Sequence, residues 1–513
     1  MREAQTNSRR EFLELLAGGS VAFAAARLGL SEPSWAQSTV PEDAHLADGD
    51  EWEFYKPGVY DEDDRKILQA FQAKLDKIRN RGKLSFADIV SKNPDVTWGL
   101  NIRPGFEITH DYMLQQADRF GGSIPWFSDK ISDEGSDGYP QGIVHMALPC
   151  VVVDEYMPHM PPGIGDYMMV SGWNGTTSFY KPVYESDKLY SVVDEQHFQD
   201  ITPQAGSKYR TFLMSGWGRV FNQKGELVAE GANVLKESYR RHKDKTKRNK
   251  NGIRAWESPD WWHQHPAHTY TDKDWETIIA LWKSEKRPSA KPLYWDDVKI
   301  GDQPQPSANS PILAEVQTNM MAYAPQWVTD LKKNILDPDY FKTLVKNKQG
   351  IYVPPEHLNK GVDTAPPGPG MTDMPAEYAN RDGRSVVGNA FCAKLAAVMI
   401  YNWMGEYGWV ERLGWDIMPK PPGYPESVVP PIPIDSMPAL FDKYPYLEKV
   451  PFLKGKRAEG HPLEGDVIVN RGYVADKYKK GEEYFVDLDW WCETIDNVIV
   501  QEGFATVKLP KRA

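Results

Sequence analysis

Two stretches of this chain, far apart in sequence, repeat one pattern, and that repeat constrains the fold more than any other feature. The first runs SFYKPVYESDKLYSVVDEQHF and resumes after a gap as GRVFNQKGELVAEGANVL. The second runs HPLEGDVIVNRGYVADKY and resumes as VDLDWWCETIDNVIVQEGFATVKLP. Each opens on a turn around an aspartate, Asp187 or Asp466, that leads into β-branched and aromatic residues. Each closes on two strand-like runs joined by polar residues, Asn222 to Gly225 in one and Glu493 to Asn497 in the other. Apolar residues alternate along VAEGANVL and FATVKL, the period of an antiparallel strand with one buried face. Self-similarity over so long a separation predicts one domain duplicated. A chain of 513 residues is too long for one ordinary core, which agrees.

An apolar sheet face needs a helix to cover it. ITHDYMLQQADRFGG predicts one in the first copy, with Thr109 as N-cap, Gly121-Gly122 as its stop, and Tyr112, Met113, Ala117 and Phe120 near helical spacing. LAEVQTNMMAYAP is a weaker candidate in the second copy, stopped by Pro325. NAFCAKLAAVMIYNWMGEYGW is apolar nearly all round, so its helix must be buried. The basic run Arg240 to Lys250 reads as a solvated loop. The proline-rich segments 353–376 and 418–438 read as long ordered loops.

The start of the chain follows a different logic. Arg9 and Arg10 stand directly ahead of Leu15 to Ala26, which holds only Gly, Ser and apolar residues and has no polar face. That run is too short to cross a bilayer, and it ends at the small-residue exit Ser34-Trp35-Ala36. The pattern predicts a cleaved export signal over 1–36 that resembles the twin-arginine address, hence a periplasmic location. No other apolar run approaches membrane-spanning length. The leader has as many arginines as acidic residues, so the mature chain keeps the formal charge of −12. Such a charge disfavours nucleic acid or anionic lipid as partners. The 3 cysteines, Cys150, Cys392 and Cys492, lack CxxC spacing and predict buried free thiols. A supply of 18 tryptophans and 25 tyrosines points mildly to an apolar or aromatic ligand.

Further motifs resemble the MaoC-like acyl dehydratase family in its long form. They run colinearly from a Gly-rich, Pro-containing turn (Gly121 to Phe127, with Asp129) to Phe179-Tyr180-Lys181-Pro182-Val183 with Asp187 and Leu189. Asn222-Gln223-Lys224-Gly225-Glu226 and the boundary run Tyr294 to Asp302 follow, then Asn402 to Trp409, and finally Gly503, Ala505, Val507, Leu509 and Pro510. The resemblance implies an α+β fold, a tandem (double) hot-dog in which two antiparallel sheets each wrap a central helix and a tunnel lies between the halves. It implies a first hot-dog over 100–250 and a second over 294–513, flanked by an N-terminal extension at 37–99 and a connecting segment at 251–293. It implies no cofactor and no metal, and leaves a homo-oligomer open.

The family chemistry is hydration or dehydration next to a thioester, and its active pattern resembles G-D-x-N-P-x-H. Laid on this chain with Pro125 in the proline place, the aspartate falls on Gly122, the asparagine on Ile124 and the histidine on Phe127. None of these transfers a proton. An exported enzyme would also not meet coenzyme A thioesters. The expectation is therefore a lyase whose chemistry has moved, acting on a small apolar or aromatic substrate not attached to coenzyme A. His145 is the leading acid–base candidate, with Asp118 and Asp129 behind it. Tyr112, Trp126 and Trp173 would stack on the substrate, and Arg381 and Asn402 are further substrate-binding candidates, Arg381 alternatively in a structural ion pair. The rivals are a ligand-binding protein that has lost catalysis, and a metal enzyme using His263, His265 and His268 of WWHQHPAHTY. Against the metal, no acidic or cysteine ligand stands beside those histidines in sequence and Pro266 interrupts them, so a surface or interdomain loop is the alternative.

Overall fold

Alternation along the repeated stretches is realised as strands. The computed structural model describes residues 51–56, 58–92, 105–109, 170–202, 207, 209–248, 255–257, 265–285, 291–312, 331–355, 389–405, 407–417 and 462–512. All of them belong to the unit Gly49–Ala513. In chain order, helices α1 (Glu62–Arg81) and α2 (Phe86–Lys92) precede strands β1 (Phe106–Glu107), β2 (Val170–Phe179), β3 (Lys188–Asp200), β4 (Arg210–Phe221), β5 (Leu227–Arg241) and β6 (Trp256–Glu257). Then come α3 (Asp272–Ser284), β7 (Ser307–Ala308), α4 (Leu331–Leu336), α5 (Pro338–Phe341), β8 (Val345–Lys346) and β9 (Tyr352–Val353). The chain closes with α6 (Asn389–Met404), β10 (Trp409–Ile417), β11 (Ile468–Lys480), β12 (Glu483–Thr494) and β13 (Ile499–Lys508).

The main sheet runs β1-β3-β4-β5-β2-β10-β13-β12-β11-β7, with β6 on β5. That order is a mirror about the β2–β10 junction, so each half has one short edge strand, a three-strand meander and one seam strand. All of the pairings are antiparallel. The duplicated domain is thus a tandem hot-dog with one continuous sheet. Among the described residues no helix is long and apolar enough to cross a membrane.

Helix α6 is the buried helix expected from its all-round apolar sequence, with Cys392, Ala393, Ala396, Met399 and Ile400 at 0–1% exposure. It lies against the face of the second half where a Cβ on Gly472 would sit 3.2 Å from Met399 Cε. On the same face, Trp490 lies flat over Gly503 and Trp415 lies flat over Gly175, which any larger residue at either glycine would prevent. The predicted helices at 109–121 and 313–325 lie outside the described residues, apart from Thr109 itself.

Helix α1 is capped by the Asp61 carboxylate at one end and Gly82 at the other. Its Phe71 and Leu75 pack on Phe212, Met214 and Tyr239 of the first half. The Arg241 guanidinium pins it with a two-pronged bond to Asp64, at 2.8 and 2.7 Å. Both groups are buried, so each needs the other's charge. Arg210 is held between the rings of Tyr55 and Tyr60, 4.5 and 4.3 Å from their centres.

Candidate functional site

The two aspartate turns that betrayed the duplication adopt one backbone geometry. In the first copy Asp187 Oδ2 accepts from Tyr184 N at 2.8 Å, and Asp187 O accepts from Ile108 N at 2.8 Å. In the second, Asp466 Oδ2 accepts from Leu463 N at 2.7 Å, and Asp466 O accepts from Ile312 N at 3.0 Å. The residue before each aspartate has positive φ, 68° at Ser186 and 89° at Gly465.

What meets the carboxylate differs. Gln223, from the β4–β5 turn, donates its Nε2 to Asp187 Oδ1 at 2.9 Å and accepts from Lys188 N with Oε1 at 3.0 Å. In the second copy, Nε2 of His265 lies 3.0 Å from Asp466 Oδ2, with both side chains buried (6% and 3% exposed). A carboxylate can only accept, so the imidazole donates to it from Nε2, while Nδ1 lies 3.4 Å from the Pro266 carbonyl oxygen, likewise only an acceptor. The backbone N–H after the aspartate is met by a second residue. Tyr270 Oη accepts from Val467 N at 2.9 Å and donates to Gly465 O at 2.7 Å.

The second half also carries a polar row within its sheet. Ser307, Asn470, Cys492 and Gln501 stand in register across β7, β11, β12 and β13, all at most 4% exposed. Asn470 Nδ2 donates to Ser307 Oγ at 3.1 Å, and the Cys492 thiol donates to Asn470 Oδ1 at 3.1 Å. The same thiol lies 3.8 Å from Cys392 O on α6. Burial first, and then the Asp466 charge, push the Cys392 thiol far above its ordinary range. Burial likewise pushes Cys492 up, so neither thiol is a nucleophile. They are the free buried cysteines expected from the sequence.

His268, on the same segment, has a different role. Its Nδ1 is 2.9 Å from Asp496 Oδ1 in the β12–β13 turn, and its Nε2 is 3.2 Å from Asp274 Oδ2 in the capping box of α3. Burial opposes its charge, but hydrogen bonding and attraction to Asp496 and then Asp274 prevail, and its pKa is raised. The two described histidines of the predicted HxHxxH ligand set therefore serve separate carboxylates and do not converge on one ion; His263 lies outside the described residues. Among the described residues no three His, Cys, Asp or Glu side chains come together as a metal-holding group. Nor is this a surface loop at His265, which is 7% exposed.

The residues singled out from sequence are mostly not those brought together. His145, Asp118, Asp129, Tyr112, Trp126 and Arg381 lie outside the described residues. Trp173 is on β2, in register with Leu235 and Ile417 at the seam. Asn402 is half-buried in the last turn of α6, and its Oδ1 has no hydrogen-bond partner among the described residues. The signal that could have found the His265 site is the Asp187/Asp466 repeat, because only structure shows which side chain meets each carboxylate.

No known family profile matches the chain, and no curated protein matches it. Solved structures do resemble it in fold. A MaoC domain dehydratase from Chloroflexus aurantiacus aligns at a TM-score of 0.38 and 12% identity, covering 82% of this chain and 99% of that one. A Mycobacterium tuberculosis protein with a double hot-dog fold aligns at 0.36 and 10% identity, covering 82% and 97%. A MaoC-like dehydratase from Phytophthora capsici aligns at 0.33 and 11%, covering 83% and 98%. The class of protein, a tandem hot-dog, stands on the mirror strand order described above.

Proposed function

We propose that this protein is an exported lyase of the hydratase or dehydratase type. It acts on a small apolar or aromatic substrate that is not attached to coenzyme A, with His265 and Asp466 as its acid–base pair. The observation that supports this is the replacement, at equivalent turns, of Gln223 by a buried histidine. The first copy meets the demands of the same turn with a neutral amide, so an ionisable ring goes beyond what the turn requires. In the forward elimination, the neutral imidazole of His265 takes the proton from the carbon next to an electron-withdrawing group. The electrons of that C–H bond form the double bond, the neighbouring C–O bond breaks, and the imidazolium returns its proton to the leaving hydroxide as water. Asp466 stabilises the transient imidazolium. His145, with Asp118 and Asp129, is the rival location for the same chemistry in the first copy.

The test uses residues 37–513, purified from an exporting host. They are incubated in deuterated buffer with β-hydroxy and α,β-unsaturated carboxylic acids, both aliphatic and aromatic, and followed by proton NMR. Water addition, elimination or carbon-bound deuterium is expected for the wild type. In His265→Gln the rate should fall by about 100-fold or more, with little change in melting temperature. An undiminished rate in that variant would remove His265, and a loss confined to His145→Ala would move the site to the first copy. The leader assignment is checked by N-terminal sequencing of the exported protein, which should begin at Gln37.

A further inference from the structure

The two turns pose the same pair of demands. A buried carboxylate needs a donor, and the backbone N–H one residue further on needs an acceptor. In the first copy one amide meets both, because Gln223 carries a donor and an acceptor on one carbon and spans Asp187 and Lys188 N. An imidazole facing a carboxylate through Nε2 cannot do this. Its second nitrogen is directed elsewhere, here towards Pro266 O. A histidine at this position leaves Val467 N to be met by another group, and that group is the Tyr270 hydroxyl.

We infer that Tyr270 is the positioning residue of the pair: its hydroxyl holds the peptide groups on both sides of Asp466, and so aims the carboxylate at His265 Nε2. The inference rests on the reading of His265 and Asp466 as the acid–base pair. Three observations support a role for the hydroxyl beyond packing. It accepts from Val467 N and donates to Gly465 O, so it spans Asp466 from both neighbours. Gly465 has φ of 89°, so the peptide preceding Asp466 is turned into an orientation that few residues hold unaided. The ring is itself fixed: Tyr270 is 3% exposed, its N donates to Gln349 O at 2.8 Å, and it packs edge-on to His268 at 4.7 Å and obliquely to Trp275 at 5.6 Å. A rigid ring delivers its oxygen to one place. Tyr270 and His265 belong to one short segment, so the aligning group and the titrating group arrive together on the sheet.

The inference is tested with the mature chain labelled with 15N-histidine. The His265 Nε2–H signal is assigned by its loss in His265→Gln, and its exchange with solvent is measured. Tyr270→Phe removes one oxygen and should accelerate that exchange at least tenfold, while the signal of His242 in the first half stays unchanged. Unaltered His265 exchange in a folded Tyr270→Phe protein would overturn the role of Tyr270. Asp466→Asn separates the two layers of the argument. If it leaves His265 Nε2–H exchange unaltered, the pair itself fails; if it alone alters the exchange, the pair stands and Tyr270 is merely structural. Should Tyr270→Phe not fold, 3-fluorotyrosine placed at position 270 keeps the ring and hydroxyl and changes only the donor strength. It should shift the exchange rate at least twofold, and an unchanged rate would again overturn the inference.

Discussion

The turn at Asp187 and the turn at Asp466 have the same backbone and different chemistry. One carboxylate meets the amide of a glutamine; the other meets the imidazole of a histidine. The comparison teaches that a duplicated fold keeps what its backbone requires and varies what merely satisfies it. The aspartate is required in both copies because it caps its own turn, at Tyr184 N and Leu463 N. The partner is free to change, provided both the carboxylate and the next N–H are met. The hairpins repeat the contrast. In the first copy Asn222 closes the turn on itself, accepting from Lys224 N at 3.0 Å and Glu226 N at 3.1 Å. In the second, Asp496 reaches out to His268, which ties the segment carrying His265 onto the sheet.

The largest expected effect comes from removing the two aspartates in turn. Asp466→Ala leaves the buried His265 Nε2–H without its acceptor and should destabilise by about 2–3 kcal/mol, against about 1–2 kcal/mol for Asp187→Ala, whose partner Gln223 is exposed to water. Urea unfolding of both variants measures the difference, and equal losses would show that the His265 contact adds nothing beyond the shared turn.

A smaller effect should separate the hairpins by pH. Because the folded pKa of His268 is raised, the stability it contributes is fully present below its unfolded value, about 6.5, and is lost as pH rises through the folded value. His268→Gln should therefore cost on the order of 1 kcal/mol in mildly acidic buffer and progressively less at higher pH. Melting curves of wild type and variant across that range should converge on the alkaline side; parallel curves would mean that His268 is held neutral.

Exchanging the residues before the aspartates should shift stability in opposite directions. Ser186→Gly relieves a positive φ that glycine accepts readily and should stabilise by about 0.5 kcal/mol, whereas Gly465→Ala should cost about 1–2 kcal/mol. Thermal unfolding checks both, and a stabilised Gly465→Ala would mean that the two turns are not equivalent.

Much of this architecture was legible in the residues themselves, because alternation and turn chemistry are local. The strands after Asp187 and Asp466, the Asn222–Gly225 turn and the buried helix 389–404 each follow from spacing within a dozen residues. The candidate site was less so. WWHQHPAHTY reads as three histidines of one kind, and its spacing suggested one shared ion or a loop. The fold instead sends His265 to Asp466 and His268 to Asp496 and Asp274, contacts set by how the connecting segment crosses the second half. His145, which the sequence favoured, lies outside the described residues. By itself the sequence determined the duplication, the strands and the turn aspartates, since periodicity and capping act between near neighbours. Only the tertiary structure decided which side chain faces each carboxylate, because that choice depends on segments that meet in space and are remote along the chain.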